Sequence, residues 1–150
     1  DVMVWYYETG PSVEIMRSIK DLRLALEPEA TARAALRRTE SDIAAISAAY
    51  EQMASTIGDI NSNADADLHF HTAIFAATHN MIYSQLIDLI AVGIYANRTL
   101  SGHEDIAEGQ KRSLPFHKAI LDAIVAQDAD AALKASRNLL DAWLGRDYGF

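Results

Sequence analysis

The fold class is decided by the stretch TESDIAAISAAYEQMASTIG, residues 39–58. Its apolar side chains recur at spacings of three, four, three and four, which places them on one face of an α-helix. These side chains are Ile43, Ile46, Tyr50, Met53 and Ile57. The helix is expected to begin at a capping box in which Asp42 replaces the usual Glu three residues after Thr39, and to end at Gly58.

The chain before this stretch also favours helix. A first helix is expected to begin at Pro11 and Ser12 and to carry one continuous apolar face. That face comprises Ile15, Ile19, Leu22 and Leu26. Proline fixes its own φ angle and disfavours the α conformation in the residue before it, so Glu27 and Pro28 predict a break or kink.

The chain after residue 58 continues the helical pattern. Residues 59–63 are rich in Asp and Asn and predict a loop, and residues 101–111 are polar with two glycines and predict another. Alanine, the strongest helix former, occurs 26 times, and no segment shows the sustained alternation of a strand. One helix is expected from about 64, and at His79 and Asn80 the pattern shifts into another long apolar segment that ends near 100. Two more helices are expected over about 113–126 and 128–144, the last capped by Asp128. We therefore predict an all-α fold, an antiparallel bundle of six or seven helices.

Composition excludes several functional classes. The chain has 150 residues, which suits one domain with one core, and it has no cysteine, which excludes disulfide scaffolds, thiolate nucleophiles and cysteine-ligated metals. Its net charge of −8 argues against direct binding of nucleic acid. The start of the chain carries no targeting signal, and the longest apolar stretch, 86–96, is shorter than the ~20 residues that cross a bilayer. We expect a cytoplasmic protein that does not contact membranes.

The sequence offers little support for catalysis. It contains no Gly-x-Ser-x-Gly nucleophile elbow, and its seven glycines are scattered singly, so no glycine-rich loop can cradle a phosphate. No pair of carboxylates is singled out from the 21 acidic residues. We therefore predict that the chain is not an enzyme.

Three ionisable side chains are predicted to face the core. Asp67 and His71 are four residues apart and project from one face of a helix, whereas His69 points away and is expected to be solvated. His117 leads the apolar stripe formed by Ile120, Leu121 and Ile124. A carboxylate with two imidazoles can bind a divalent metal such as zinc, nickel, manganese or iron, with open positions for water or ligand. A hydrogen-bonded Asp–His pair without metal is the alternative interpretation.

Three blocks of sequence resemble one family. Residues 21–43 (DLRLALEPEATARAALRRTESDI) are similar to the opening of the FadR-type C-terminal ligand-binding (FCD) domain of GntR transcriptional regulators. The second block lies within residues 67–80: residues 67–71 (DLHFH) resemble that family's Asp-x-x-Phe-His, and residues 76–80 (AATHN) the Ala-x-x-Asn that follows it. Residues 117–132 (HKAILDAIVAQDADAA) resemble its closing helix pair. The blocks occur in the family's order over nearly the whole chain.

The resemblance implies a helical bundle whose central cavity binds a small carboxylate effector and, in many members, a divalent metal. The family's first three metal ligands fall on Asp67, His71 and His117. Its fourth ligand, a histidine, falls on Leu139, which cannot coordinate a metal. The resemblance therefore implies one of two states: a metal with three protein ligands, completed by water and effector, or no metal, as in some members.

The resemblance also implies three effector-binding residues: Arg23, Asn80 and Arg98. A guanidinium matches a carboxylate with two donors, and an amide both donates and accepts hydrogen bonds. Each residue also has a structural interpretation. Arg23 can pair with Glu27 four residues on, Asn80 can cap a helix, and Arg98 can be exposed to solvent.

The resemblance finally implies how the chain is organised and what it does. Residues 1–10 resemble the segment after a winged helix-turn-helix, so the DNA-binding half is expected upstream, and residues 11–150 are expected to form the effector-binding and dimerisation domain. The implied function is sensing of a small organic or sugar acid by a homodimer that contacts DNA only through the upstream domain. A helical-bundle metalloenzyme using the same Asp and His residues, or a purely structural dimerisation module, are the alternatives.

Overall fold

The chain folds as a bundle of α-helices. The computed structural model describes the backbone of residues 13–100 and 106–144, and the side chains of residues 14–95 and 106–142. Within these residues there are seven helical segments and no strand, which confirms the predicted all-α class. The segments are α1 (Val13–Arg37), α2 (Glu40–Ser55), α3 (Ile60–Ala77), α4 (Met81–Gln85), α5 (Ile87–Leu100), α6 (Ile106–Val125) and α7 (Ala129–Leu144). The expected helix start at Pro11 and Ser12 and the segment 1–10 lie outside the described residues.

Helix α2 begins at the predicted capping box. The Thr39 hydroxyl accepts from the backbone N–H of Asp42 (3.3 Å), and the Asp42 carboxylate accepts from the backbone N–H of Thr39 (2.7 Å). The helix ends at Ser55, three residues before the glycine that the sequence suggested as its end. Gly58 instead lies in the following turn with φ +94°, a conformation that favours glycine.

The sequence predicted a break or kink at Glu27 and Pro28. Helix α1 continues through Pro28, so the predicted break is wrong. Proline removes one backbone donor, but tertiary contacts outweigh that cost here. Pro28 itself is buried, and so are Glu27, which is 1% exposed, and Ala30, which is fully buried. The Thr31 hydroxyl adds a hydrogen bond to the carbonyl oxygen of Glu27 (2.7 Å).

Two other helices begin earlier than predicted. Helix α3 begins at Ile60, because Asp59 acts as its N-cap and accepts from the backbone N–H groups of Asn61 (3.0 Å) and Ser62 (3.1 Å). The Asp and Asn residues interpreted as a loop thus form the cap and first turns. Helix α6 begins at Ile106 rather than 113, and its polar first turns are anchored where Gln110 accepts from the Gly58 backbone N–H. The predicted cap of α7 is confirmed, since Asp128 accepts from the backbone N–H of Ala131 (2.9 Å).

Helix α3 lies between two clusters of buried apolar side chains. Its Phe70 and Ile74 belong to a cluster shared with α1, α2, α6 and α7, and its Phe75 belongs to a second cluster shared with α1 and α5. Helices α6 and α7 pack as a pair, and α1 packs along α7. None of the helices in the described ranges is long and apolar enough to cross a bilayer. Residues on α3 therefore occupy the centre of the bundle.

Candidate metal centre

Helix α3 supplies the first two predicted site residues. Asp67 and His71 lie one turn apart, and the Nε2 atom of His71 lies 3.3 Å from Oδ1 of Asp67. His71 is 3% exposed, and the Asp67 side chain retains 28% of its exposure. His69, two residues away, is exposed as predicted. The four-residue spacing thus aims one carboxylate and one imidazole into the bundle.

Helix α6 supplies the third residue from a different side. His117 is 3% exposed, and its Nε2 atom lies 3.1 Å from Oδ1 of Asp67. One ligand atom from each of Asp67, His71 and His117 lies within 4.8 Å of the other two. Folding therefore brings together three residues that are up to 50 positions apart in sequence.

The far side of each imidazole ring is already bound to an acceptor. The Nδ1 atom of His117 donates to the backbone carbonyl of Ser113 (3.0 Å), and that of His71 donates to Oε2 of Glu27 (3.1 Å). A carbonyl and a carboxylate can only accept, so both rings carry a proton on Nδ1. Both Nε2 atoms are thereby turned toward Asp67, so Nε2 is the atom that each ring would offer to a metal.

Phe70 packs against both imidazole rings. It is fully buried, and its ring meets those of His71 and His117 edge-on, with centroid distances of 5.9 and 5.3 Å. Edge-to-face packing of this kind favours one relative orientation of the rings. The apolar core thus restricts how the two histidines can rotate.

Glu27 is the residue of this centre that sequence reasoning did not select. It is 1% exposed and forms an ion pair with Arg23, which is 4% exposed. The sequence carried one signal for it, since Ile15, Ile19, Arg23 and Glu27 recur every four residues and all are buried. The prediction of a break at Pro28 and the choice of Leu22 and Leu26 as the buried face hid this stripe.

The charges of the cluster shift its pKa values strongly. Burial by itself would raise the pKa of Glu27, but the charges of Arg23 and His71 outweigh it and lower that pKa from 4.5 to about 2. Burial would lower the pKa of His71, but Glu27 and Asp67 outweigh it and raise that pKa from 6.5 to about 9. Against its burial, hydrogen bonds from His117 and His71 hold the pKa of Asp67 well below its usual value. Without metal, both ring nitrogens of His71 therefore carry a proton at neutral pH, and Nδ1 donates to Glu27 while Nε2 faces Asp67.

The other residues that the sequence singled out lie in different parts of the bundle. Arg23 is held by Glu27 as the structural interpretation suggested, and Asn80 is the N-cap of α4, accepting from the backbone N–H of Ile82 (3.0 Å). The side chain of Arg98 lies outside the described residues. Leu139, at the family's fourth ligand position, is 6% exposed and belongs to the main apolar cluster.

A sequence profile of known domains identifies the family. The FCD domain profile matches residues 18–142. The chain belongs to the FCD domain family.

Two relatives and two solved structures agree with this assignment. The chain is 31% identical over 143 residues to the galactonate operon transcriptional repressor of Escherichia coli K12 (93% of this chain, 61% of the relative). It is 30% identical over 149 residues to the putative L-lactate dehydrogenase operon regulatory protein of the same organism (87% and 56%). It superposes on Streptococcus agalactiae GntR with TM-score 0.73 at 19% identity (93% and 63%). It superposes on E. coli McbR/YncC with TM-score 0.77 at 19% identity (87% and 63%).

Family membership confirms three predictions. The chain is an FCD domain with the expected helical bundle. Its two named relatives are an operon repressor and a putative operon regulatory protein, which agrees with the prediction that the chain is not an enzyme. The chain spans about three fifths of the length of these two relatives, 61% and 56%.

Proposed function

We propose that this FCD domain senses a small 2-hydroxy monocarboxylate, of the sugar-acid type, through a divalent metal ion held by Asp67, His71 and His117. One observation carries the proposal. Three ligand atoms converge within 4.8 Å while the Nδ1 atom of each imidazole is held by a separate acceptor. In this arrangement both Nε2 atoms and the Asp67 carboxylate can bind one ion while each Nδ1 proton stays on its own acceptor.

The donor set is chemically suited to a first-row metal. Two imidazole nitrogens and one carboxylate oxygen are ligands that zinc, nickel, manganese and iron accept. The bound metal would supply a Lewis-acidic centre for the carboxylate and hydroxyl oxygens of an effector. Because leucine occupies position 139, the three protein ligands leave positions that a chelating hydroxy acid could fill.

The charge balance of the buried cluster favours a singly charged effector. A divalent metal and Arg23 bring three positive charges, whereas Glu27 and Asp67 bring two negative charges. The metal-loaded centre with neutral imidazoles would therefore keep one uncompensated positive charge near the core. Burying an unpaired charge is costly, so an effector with one carboxylate would stabilise the loaded state.

The names of the two relatives point to the same class of compound. Galactonate and lactate, the acids in those names, both carry a hydroxyl on the carbon next to a single carboxylate. These two groups can bind one metal through a five-membered ring. The shared chemistry supports a 2-hydroxy monocarboxylate as the effector of this chain.

Regulation would follow from linkage. We infer a cytoplasmic homodimer in which the effector binds one arrangement of the dimer more tightly and so changes the DNA affinity of winged helix-turn-helix domains joined to residue 1. An effector shifts this equilibrium only by its differential affinity for the two arrangements.

The test combines elemental analysis with a ligand screen. Purified protein should contain close to one divalent metal per chain. Binding of a 2-hydroxy monocarboxylate should raise its Tm by mass action. At a ligand concentration 100 times Kd, the free energy of unfolding should increase by about 2.7 kcal/mol. His71→Ala should lose the metal and the ligand response while keeping its helical content. His69→Ala is the matched control, because His69 is exposed on the same helix.

Two outcomes would reject the proposal. Metal content that is unchanged in His71→Ala would exclude the assigned ligands. A wild-type protein with no metal and no response to any hydroxy acid would favour the alternative of a purely structural dimerisation module.

A further inference from the structure

Glu27 lies on the opposite side of the His71 ring from the proposed metal. Its Oε2 atom lies 3.1 Å from Nδ1 of His71, whereas Nε2 of the same ring lies 3.3 Å from Asp67. Among the described residues, the cluster able to hold a metal comprises Asp67, His71 and His117 and does not include Glu27. Glu27 thus contacts a ligand without being placed to act as one.

We propose that Glu27 is a positioning residue for the metal centre, an outer-sphere carboxylate that binds the Nδ1 proton of His71 and thereby directs Nε2 to the metal. The inference rests on the proposed function, since it concerns the metal that Asp67, His71 and His117 would hold. Carboxylates in this position fix the tautomer and orientation of a ligating histidine and strengthen it as a donor.

The two histidines depend on different parts of the fold for this support. His117 donates to the carbonyl of Ser113, four residues earlier, so the acceptor of its Nδ1 proton belongs to its own helix. His71 instead relies on a side chain from α1. Metal affinity would therefore depend on how α1 packs against α3.

Arg23 and Gly93 complete the support of Glu27. The Arg23 guanidinium donates to Glu27 from the preceding turn, which compensates the buried carboxylate. Gly93 on α5 leaves room for that side chain, since a Cβ there would lie 3.2 Å from Cδ and 3.4 Å from an Nη atom of Arg23. Three helices thus contribute to the position of one carboxylate.

The test measures zinc affinity of the full 150-residue chain by competition with a chromophoric chelator. The main variant is Arg23→Met/Glu27→Leu, which removes both members of the pair and leaves the net charge unchanged. Replacing a buried ion pair by apolar residues of similar size is often neutral for stability, so this variant should fold. Zinc binding should weaken about 10- to 100-fold.

Two further variants separate positioning from general damage to α1. Thr31→Val removes another buried hydrogen bond one turn along the same helix, from the Thr31 hydroxyl to the backbone carbonyl of Glu27, and should bind zinc like wild type. Glu27→Gln keeps a weaker, uncharged acceptor and should bind with intermediate affinity. It decides the question alone if the double variant does not fold, because wild-type affinity in Glu27→Gln would overturn the inference.

Nitrogen-15 NMR of the zinc-loaded protein gives a readout that loss of packing would not produce. Wild type should show one His71 tautomer with the proton on Nδ1 and zinc on Nε2, and the double variant should lose this single form. If wild type binds zinc but the double variant keeps both the affinity and the tautomer, the inference fails and the proposed function stands. An equal loss in Thr31→Val also overturns it. If wild type binds no zinc, both fail.

Discussion

Raising the pH of the metal-free protein should weaken its fold through His71. The folded state raises the pKa of this residue from 6.5 to about 9, so it binds the proton more tightly than the unfolded chain does. The resulting stability is present in full below pH 6.5 and is lost as the pH rises through 9. At about 1.4 kcal/mol for each unit between the two values, the loss amounts to about 3 kcal/mol.

The magnitude follows from the surroundings of the ring. His71 is 3% exposed and lies 3.1 Å from Glu27 and 3.3 Å from Asp67, so solvent screens these ion pairs little. The same interactions lower the pKa of Glu27, so they are counted once. Deprotonation of the ring removes the positive charge that both carboxylates share.

Urea unfolding followed by circular dichroism measures the effect. The free energy of unfolding is compared at pH 6.5, 7.5, 8.5 and 9.5, at one protein concentration and with a chelator present. His71→Gln cannot titrate and should show a much flatter profile, whereas His69→Gln, altered on the exposed face of α3, should follow wild type. A flat wild-type profile, or the same slope in His71→Gln, would refute the reasoning.

Zinc should cancel this dependence, because the bound metal takes the place of the proton that the folded chain holds. The metal must displace the proton from Nε2 of His71, so zinc binds more tightly as the pH rises toward 9. The stabilisation that saturating zinc adds should therefore grow over the range in which the metal-free protein weakens. A zinc effect that does not vary with pH would exclude His71 as a ligand.

Three further variants test the packing around the centre. Gly93→Ala should lower the free energy of unfolding in urea by about 1–3 kcal/mol, because the new Cβ would lie 2.9 Å from Cγ2 of Ile19. Unchanged stability would mean that α1 moves away from the new methyl group at little cost. Phe70→Ala should lower the free energy of unfolding by about 3–5 kcal/mol and also weaken zinc binding, since the ring packs on both imidazoles. Unaltered zinc affinity would show that Phe70 does not orient the two histidines. Thr39→Ala should cost about 1 kcal/mol through loss of the capping box, and a change in its zinc affinity would contradict the assigned local role.

The inward-facing residues of α3 and α6 could be predicted from sequence. Asp67 and His71 share a helix face, and His117 continues an apolar stripe, so periodicity alone indicated that they point into the bundle. The capping signals at Thr39 and Asp128 were also sufficient, because they act over three or four residues. These features depend on local geometry, which a single sequence carries.

The contribution of α1 could not be predicted in the same way. Pro28 has an intrinsic preference for helix starts, and only packing against the rest of the bundle keeps α1 continuous through it. The His71–Glu27 contact joins two helices that are 44 residues apart at these positions. The early start of α6 has the same origin, since the contact of Gln110 with Gly58 joins distant segments. The early start of α3 instead depends on the local cap at Asp59.

The continuity of α1 through Pro28 also affects how this helix opens locally. Because residue 28 has no N–H, the carbonyl of Leu24 lacks its usual partner one turn on. The Arg23–Glu27 ion pair joins the same two turns through side chains, one position earlier. Amide hydrogen exchange in the middle of α1 should therefore report the state of this ion pair. A change of charge in the cluster around Glu27 would therefore alter the backbone dynamics of α1 near Pro28.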